Sequence, residues 1–118
     1  MRNSQVATKF DIIMTEPRMS ALYGDSGYFN VGYWSDGAID ILGACNCLTD
    51  RLAATVPEDA KLIVDVGCGL GAGTRRVQDR FPEAIVIGAN ISPWQLAQAR
   101  RHGVKAPVAM GAARLAGA

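Results

Sequence analysis

The sequence predicts an α/β fold built on a parallel, doubly wound sheet. Three observations carry this. From residue 38 onward, helical periodicity alternates with short β-branched runs, in the order helix, strand, helix, strand, helix and a candidate third strand. The two clear runs, Lys61–Val66 (KLIVDV) and Ala84–Ala89 (AIVIGA), are almost continuously apolar, as in strands covered on both faces of a parallel sheet. A glycine-rich turn, Gly67–Gly73, joins the first run to the helix that follows.

Each element has a local reason. Val6–Met14 reads as a short helix with Val6, Phe10 and Ile13 on one face. It ends before Pro17, because proline disfavours helical geometry in the residue preceding it. Residues 20–37 read as a loop holding Tyr23, Tyr28, Phe29, Tyr33 and Trp34, five of the eight aromatics in the chain. Aromatics at that density on a loop need a surface to cover. Ala38–Thr55 reads as an amphipathic helix, with Ile39, Leu42, Cys45, Leu48 and Leu52 recurring at spacings of three and four, Asp36 as its N-cap and Pro57 as its stop. Thr74–Phe81 reads as a helix with Val77 and Phe81 inward and Arg75, Arg76, Asp79 and Arg80 outward; Pro82 closes it. Ser92 and Pro93 open the next helix, since serine caps and proline fits the first helical position. That helix runs to Arg101 with Leu96 inward, and Gly103 is placed to end it. Pro107–Met110 is the candidate third strand, and residues 111–118 show no clear period.

Composition narrows the classes. A length of 118 residues allows one domain at most. Apolar residues at 49%, charged residues at 19% and a mean hydropathy of +0.10 exclude a disordered chain. No apolar run approaches the roughly 18 residues of a membrane span, and Met1–Phe10 lacks the apolar stretch of a secretory signal. The expectation is a cytoplasmic protein with no membrane partner. A net charge of +1 gives no reason to expect nucleic acid. Residues 1–60 carry four basic and eight acidic side chains, and residues 61–118 eight basic and three acidic. The basic second half reads as solvated helix faces. Three cysteines, Cys45, Cys47 and Cys68, are an odd number that fits a reducing compartment. No second Cys/His pair accompanies Cys45 and Cys47, so no metal site is expected.

The chemistry concentrates in Val64–Thr74, V-D-V-G-C-G-L-G-A-G-T. Glycines let a backbone turn sharply after a strand and let a ligand approach the main chain, and the next helix aims its free N–H groups at the same spot. A P-loop requires lysine before the final Ser/Thr, and none precedes Thr74. A dinucleotide fingerprint is met from Gly67 if Ala72 takes its sixth position, but the acidic residue expected about twenty positions on is Asn90. An amide can still bond a ribose hydroxyl, so the nicotinamide reading stands as an alternative.

The pattern Asp65, Gly67, Gly69, Gly71 resembles motif I of the class I S-adenosylmethionine-dependent methyltransferases, in which an acid two residues before the first glycine precedes G-x-G-x-G. A carboxylate there favours a cofactor that carries a sulfonium and an ammonium group and no pyrophosphate. Gly88–Arg100, G-A-N-I-S-P-W-Q-L-A-Q-A-R, is similar to the G-x-[ND]-[IL]-S-x-x-Q-[LM]-x-x-A segment of small-molecule methyltransferases, and Tyr28–Trp34, Y-F-N-V-G-Y-W, to the aromatic N-terminal segment of the same natural-product group. The resemblance spans residues 20 to about 102. It implies a Rossmann-like class I methyltransferase fold and S-adenosylmethionine as cofactor, with S-adenosylhomocysteine as product and a small-molecule methyl acceptor. It assigns Asp65, Gly67, Cys68, Gly69 and Gly71 of the glycine loop, Asn90, Ile91 and Gln95 of the second strand end, and Tyr28, Tyr33 and Trp34 of the aromatic segment to cofactor binding. Asn90 inherits the ribose-facing role, and the three aromatics that of covering the cofactor. No catalytic residue is assigned.

The same resemblance sets the expected organisation. Residues 1–37 are a lid or cap segment, and residues 38–118 the front half of a methyltransferase domain, truncated after about strand 3 and carrying strands 1 and 2 and a candidate third of the family's seven. In that family strand 4 lies beside strand 1. The run KLIVDV is therefore expected to be an apolar edge, to be covered by self-association or by a complementary C-terminal half. After strand 3 the family shows G-D-A or a similar motif whose acid approaches adenine; here Gly111–Leu115 reads G-A-A-R-L, without the acid. The alternative to an enzyme is a non-catalytic or split-subunit fragment that pairs with another chain. Cys68 is expected to fill a small-residue position rather than react, and His102 to sit at a helix end.

Overall fold

In a computed structural model the described residues are 3–111. The expected alternation is present. Helix α1 (Asn3–Met14), α2 (Pro17–Tyr23) and α3 (Ile41–Ala53) precede β1 (Leu62–Val66), α4 (Ala72–Arg80), β2 (Ile85–Asn90), α5 (Pro93–Arg101) and β3 (Ala106–Ala109). The strands form one parallel sheet in the order β1-β2-β3, with Leu62 opposite Ile85, Val66 opposite Ala89 and Asn90 opposite Ala109. This is a Rossmann-like arrangement in which each strand pairs with the next through a crossover helix.

Alternation along the strands gives the sheet two unlike faces. Ile63, Asp65, Val86, Gly88 and Asn90 share one face, and α4 and α5 both pack against β2. Val86, Ala99, Val104 and Phe81 are buried in the resulting core. The opposite face is open: Leu62, Val64 and Val66 of β1, Ile85 of β2 and Val108 of β3 are each roughly half exposed or more. Burial of β1 on both faces is therefore corrected. Its outer edge has no partner strand among the described residues, and one of its faces meets solvent.

Other boundaries shift for local reasons. The stretch read as a loop from residue 20 begins as the end of α2, because Pro17 starts a helix as well as ending one. It stands at the first helical position, with Glu16 accepting the Arg18 N–H. Helix α3 is capped by Asp40, whose Oδ1 accepts the Gly43 N–H at 2.7 Å, and not by Asp36, which pairs with Arg51 at 3.5 Å. The buried face only partly matches the expected one. Ala44, Cys45, Thr49 and Ala53 are buried, whereas Ile39 is 95% exposed, and Leu42 and Leu52 are also exposed.

Helix α5 begins as expected: the Ser92 hydroxyl accepts the Gln95 N–H and Pro93 follows. Phe81 is buried as predicted, but Thr74 and Gln78 provide the buried stripe of α4. Gln78 fastens α4 to the next loop, donating from Nε2 to the Gly103 carbonyl and accepting the Lys105 N–H on Oε1.

Candidate cofactor-binding site

The ends of β1 and β2, the glycine turn and the N-terminal segment enclose a cavity of about 620 Å³. That volume lies in the range of small-molecule and cofactor sites. The turn is held tightly at its start: the Gly67 and Cys68 N–H groups both donate to the Ala89 carbonyl, at 2.7 and 3.0 Å. Gly67 and Gly69 have φ of +77° and +58°, and a Cβ on either would meet nothing within 4 Å. Their glycine character serves the backbone turn and leaves the main chain open toward the cavity. Gly71 is different. It caps α4 with φ +97°, and a Cβ there would stand 2.8 Å from the Ala99 Cα and the Val104 Cγ2. Its place is a packing contact between α4, α5 and the approach to β3.

Asp65 lies at the C-terminal end of β1 and lines the cavity. Its Oδ2 accepts the fully buried Thr74 hydroxyl at 2.6 Å, which fixes the carboxylate against α4. Asn90 ends β2 and is 6% exposed. Its Nδ2 donates to Gln95 Oε1 at 2.9 Å and its Oδ1 accepts the Ser92 N–H at 3.2 Å. Cys68 lies between the two. Burial, with the Asp65 carboxylate adding to it, pushes the thiol up to about 11. At neutral pH it is therefore a protonated, weakly polar filler and no nucleophile.

Of the residues named from the sequence, Tyr28, Asp65, Gly67, Cys68, Gly69, Asn90, Ile91 and Gln95 line this one cavity. Gly71, Tyr33 and Trp34 do not. The Tyr33 ring lies under the Arg51 guanidinium, 4.3 Å from its carbon to the ring centre, and the Tyr33 N–H donates to Ala44. Trp34 is 48% exposed and its indole N–H donates to the Val31 carbonyl. Both hold the loop to α3 and to itself. Tyr28 is buried and donates its hydroxyl to Asn46 Oδ1 at 2.6 Å, while the Gly27 carbonyl accepts the Ala72 N–H at the start of α4. His102 caps α5, but it is not a surface residue. Its ring is largely buried against Gly27, with Nδ1 2.9 Å from the Gln98 carbonyl.

Sequence reasoning missed the wall supplied by α1. Ala7, Phe10 and Met14 line the cavity, with Phe29 and Met110. Asp11 on the same helix accepts from Ser92 and Gln95. No short-range signal could have found these, since the partners of Asp11 lie 81 and 84 residues away. The altered G-D-A position falls mostly on residues 112–118, outside the described residues.

Comparison with known proteins follows the same division. A family model described as a methyltransferase domain matches residues 63–115. A trans-aconitate 2-methyltransferase of Methylobacterium nodulans is 47% identical over 52 residues, 43% of this chain and 20% of that relative. A 27-O-demethylrifamycin SV methyltransferase of Amycolatopsis mediterranei is 33% identical over 91 residues, 76% of this chain and 32% of that relative. The chain thus spans between a fifth and a third of the length of these relatives. The solved [4+2]-cyclase SpnF superposes with a TM-score of 0.76 at 27% identity, over 93% of this chain and 43% of that one. Coclaurine N-methyltransferase, solved with N-methylheliamine and SAH, shares the fold with a TM-score of 0.61 at 18% identity, over 81% of this chain and 30% of that one. The glycine turn, the parallel β1-β2-β3 order and these matches make the chain similar, over the part it spans, to the class I S-adenosylmethionine-dependent methyltransferases.

Proposed function

We propose that the chain binds S-adenosylmethionine in this cavity and, within a complete domain, takes part in transferring its methyl group to a small-molecule acceptor, leaving S-adenosylhomocysteine. The observation that carries this is the convergence of Asp65, the open Gly67–Gly69 backbone and Asn90 on one cavity at the carboxyl ends of adjacent parallel strands. That is where ligands of open α/β sheets bind. The residues fit the cofactor. The Asp65 carboxylate favours its cationic groups, the Asn90 amide oxygen can accept from a ribose hydroxyl, and Ile91 and Met110 offer apolar surface beyond the ribose. Phe10, Met14, Tyr28 and Phe29 restrict water on the side of the lid, residues 1–37.

When bound, the cofactor supplies an electrophilic methyl group on a sulfonium sulfur. The chain's own contribution is to bind and orient it; catalysis of this kind rests largely on positioning. We assign no catalytic base among the described residues. Titration calorimetry of the chain with S-adenosylhomocysteine tests the reading: saturable one-to-one binding is expected, and no heat at millimolar ligand overturns it. Methyl transfer itself requires S-adenosylhomocysteine to accumulate with the methylated product. That product check separates it from the activity named for the cyclase neighbour.

A second reading concerns the partner. The open sheet face of Leu62, Val64, Val66, Ile85 and Val108, contiguous with the unpaired β1 edge, is an apolar surface of the sort that marks an interface. We propose that its occupant is a complementary C-terminal half, further strands and helices of the same sheet, in keeping with relatives several times longer than the match. Light scattering on the isolated chain is expected to show association. The same chain mixed with a C-terminal half from such a relative should give a one-to-one complex. A soluble monomer that ignores the added half overturns this, and a stable homodimer shows a second copy to be the occupant instead.

A further inference from the structure

Asp11 lies on α1, 81 and 84 residues from Ser92 and Gln95 beyond the end of β2, yet it terminates a buried polar chain that begins at that strand end. Its carboxylate accepts the Ser92 hydroxyl at 2.8 and 3.0 Å and the Gln95 Nε2–H at 2.8 Å. Ser92 is fully buried, Gln95 is 4% exposed and Asn90 is 6% exposed, so few of these groups have water to turn to.

The chemistry of the first member dictates the rest. An ionised carboxylate accepts hydrogen bonds and donates none, whereas each primary amide has one accepting and one donating end. Asp11 therefore demands the Nε2 end of Gln95. That turns Gln95 Oε1 toward Asn90, where it receives the Asn90 Nδ2–H at 2.9 Å. Asn90 Oδ1, fixed on the other side, accepts the Ser92 N–H and keeps a second lone pair. The order of donors and acceptors runs one way, from the α1 carboxylate to the residue at the end of β2.

We propose that Asp11 is a positioning residue for the cofactor: it sets the orientation of the Asn90 amide so that the oxygen, and not the NH2 group, is presented to the ribose hydroxyls. This rests on the cofactor reading above and deepens it. The same contact holds α1 against α5, which keeps Ala7, Phe10 and Met14 in the cavity wall. Docking of the N-terminal helix and recognition of the ribose are thereby one event. Without Asp11, Gln95 can turn its NH2 group toward that of Asn90; the Asn90 amide is then held by the Ser92 N–H alone, and relieving the clash of two donors turns its own donor end toward hydroxyls that need an acceptor.

The test compares S-adenosylhomocysteine with its 2′,3′-dideoxy analogue by calorimetry. The unaltered chain should prefer the hydroxylated ligand by about tenfold or more. Asp11→Ala should bring that preference close to unity. Adding Asn90→Asp to Asp11→Ala should restore it, because a carboxylate accepts in either orientation and Gln95 is then free to turn its Nε2 toward residue 90. A helix that merely packs would not be rescued by a change at residue 90. Preference retained in Asp11→Ala, or absent rescue, overturns the proposal. If the unaltered chain binds neither ligand, the cofactor reading fails and this one with it, an outcome distinct from failure of the variants. Should Asp11→Ala not fold, side-chain amide exchange in the unaltered chain decides: protons of Gln95 and Asn90 slowed at least tenfold against free amides support the chain of bonds, and exchange at the free rate overturns it.

Discussion

Gly71→Ala is expected to destabilise the chain by about 2–4 kcal/mol, the sum of a left-handed backbone imposed on a residue with a side chain and an overpacked contact. The methyl would press on the Ala99 backbone and on Val104, and backbone cannot yield as a flexible side-chain end can. Gly67→Ala is the control. Its φ is also positive, but its Cβ would project into open space, so only the conformational cost of about 1–2 kcal/mol is expected. Urea titration followed by circular dichroism measures both. Equal midpoints for the two variants would remove the packing role given to Gly71. The third glycine of the motif thus shapes the scaffold beside the cavity, while the first two shape the surface a ligand would meet.

Asp65→Asn should weaken S-adenosylhomocysteine binding roughly 10- to 100-fold, the usual scale for losing a charge-assisted contact. The substitution keeps the shape of the side chain and an oxygen to accept the Thr74 hydroxyl, so the melting temperature should move little. Free adenosine, which lacks the amino-acid portion, should bind both forms alike. Calorimetry with the two ligands checks this. A loss of less than about threefold, or an equal loss for adenosine, would assign Asp65 to structure alone.

The sequence made the parallel sheet and the glycine turn legible because both are local. Alternating periodicity marks the elements, and strand, glycines and helix lie within a dozen residues of one another. The cap of α5 was equally legible, since Ser92 and Pro93 act on their own backbone. The start of α3 was not. Asp36 and Asp40 are both able caps by type, and the choice fell to Asp40 because Asp36 lies before the left-handed Gly37 and is turned toward Arg51. The face of the helix differs for another reason: Cys45 is buried as expected, whereas Leu48 and Leu52 line the cavity and so stay accessible. Tyr33 and Trp34 read as cover for the cavity because aromatic residues in a loop must lie on something. Which surface they chose depended on Arg51 and on Val31, a contact that spacing does not encode. The open face of β1 was misread for a related reason. A continuous apolar run shows that a strand is suited to burial, not that a neighbour is at hand to bury it.

The connectivity of the sheet bears on the order in which the molecule assembles. Paired residues of β1 and β2, such as Leu62 and Ile85, are joined through the single crossover helix α4, and those of β2 and β3, such as Ile87 and Ala106, through α5. Each of these connections is several times shorter than the stretch between Asp11 and its partners, so its closure costs less entropy. The bonds of Asp11 to Ser92 and Gln95 bridge nearly the whole described chain and can form only once α5 exists to receive them. Helix α1 is thus the last piece to arrive and the first to leave. In hydrogen exchange it should open as a separate unit, below the free energy of the sheet, exposing the floor of the cavity while the strands stay paired.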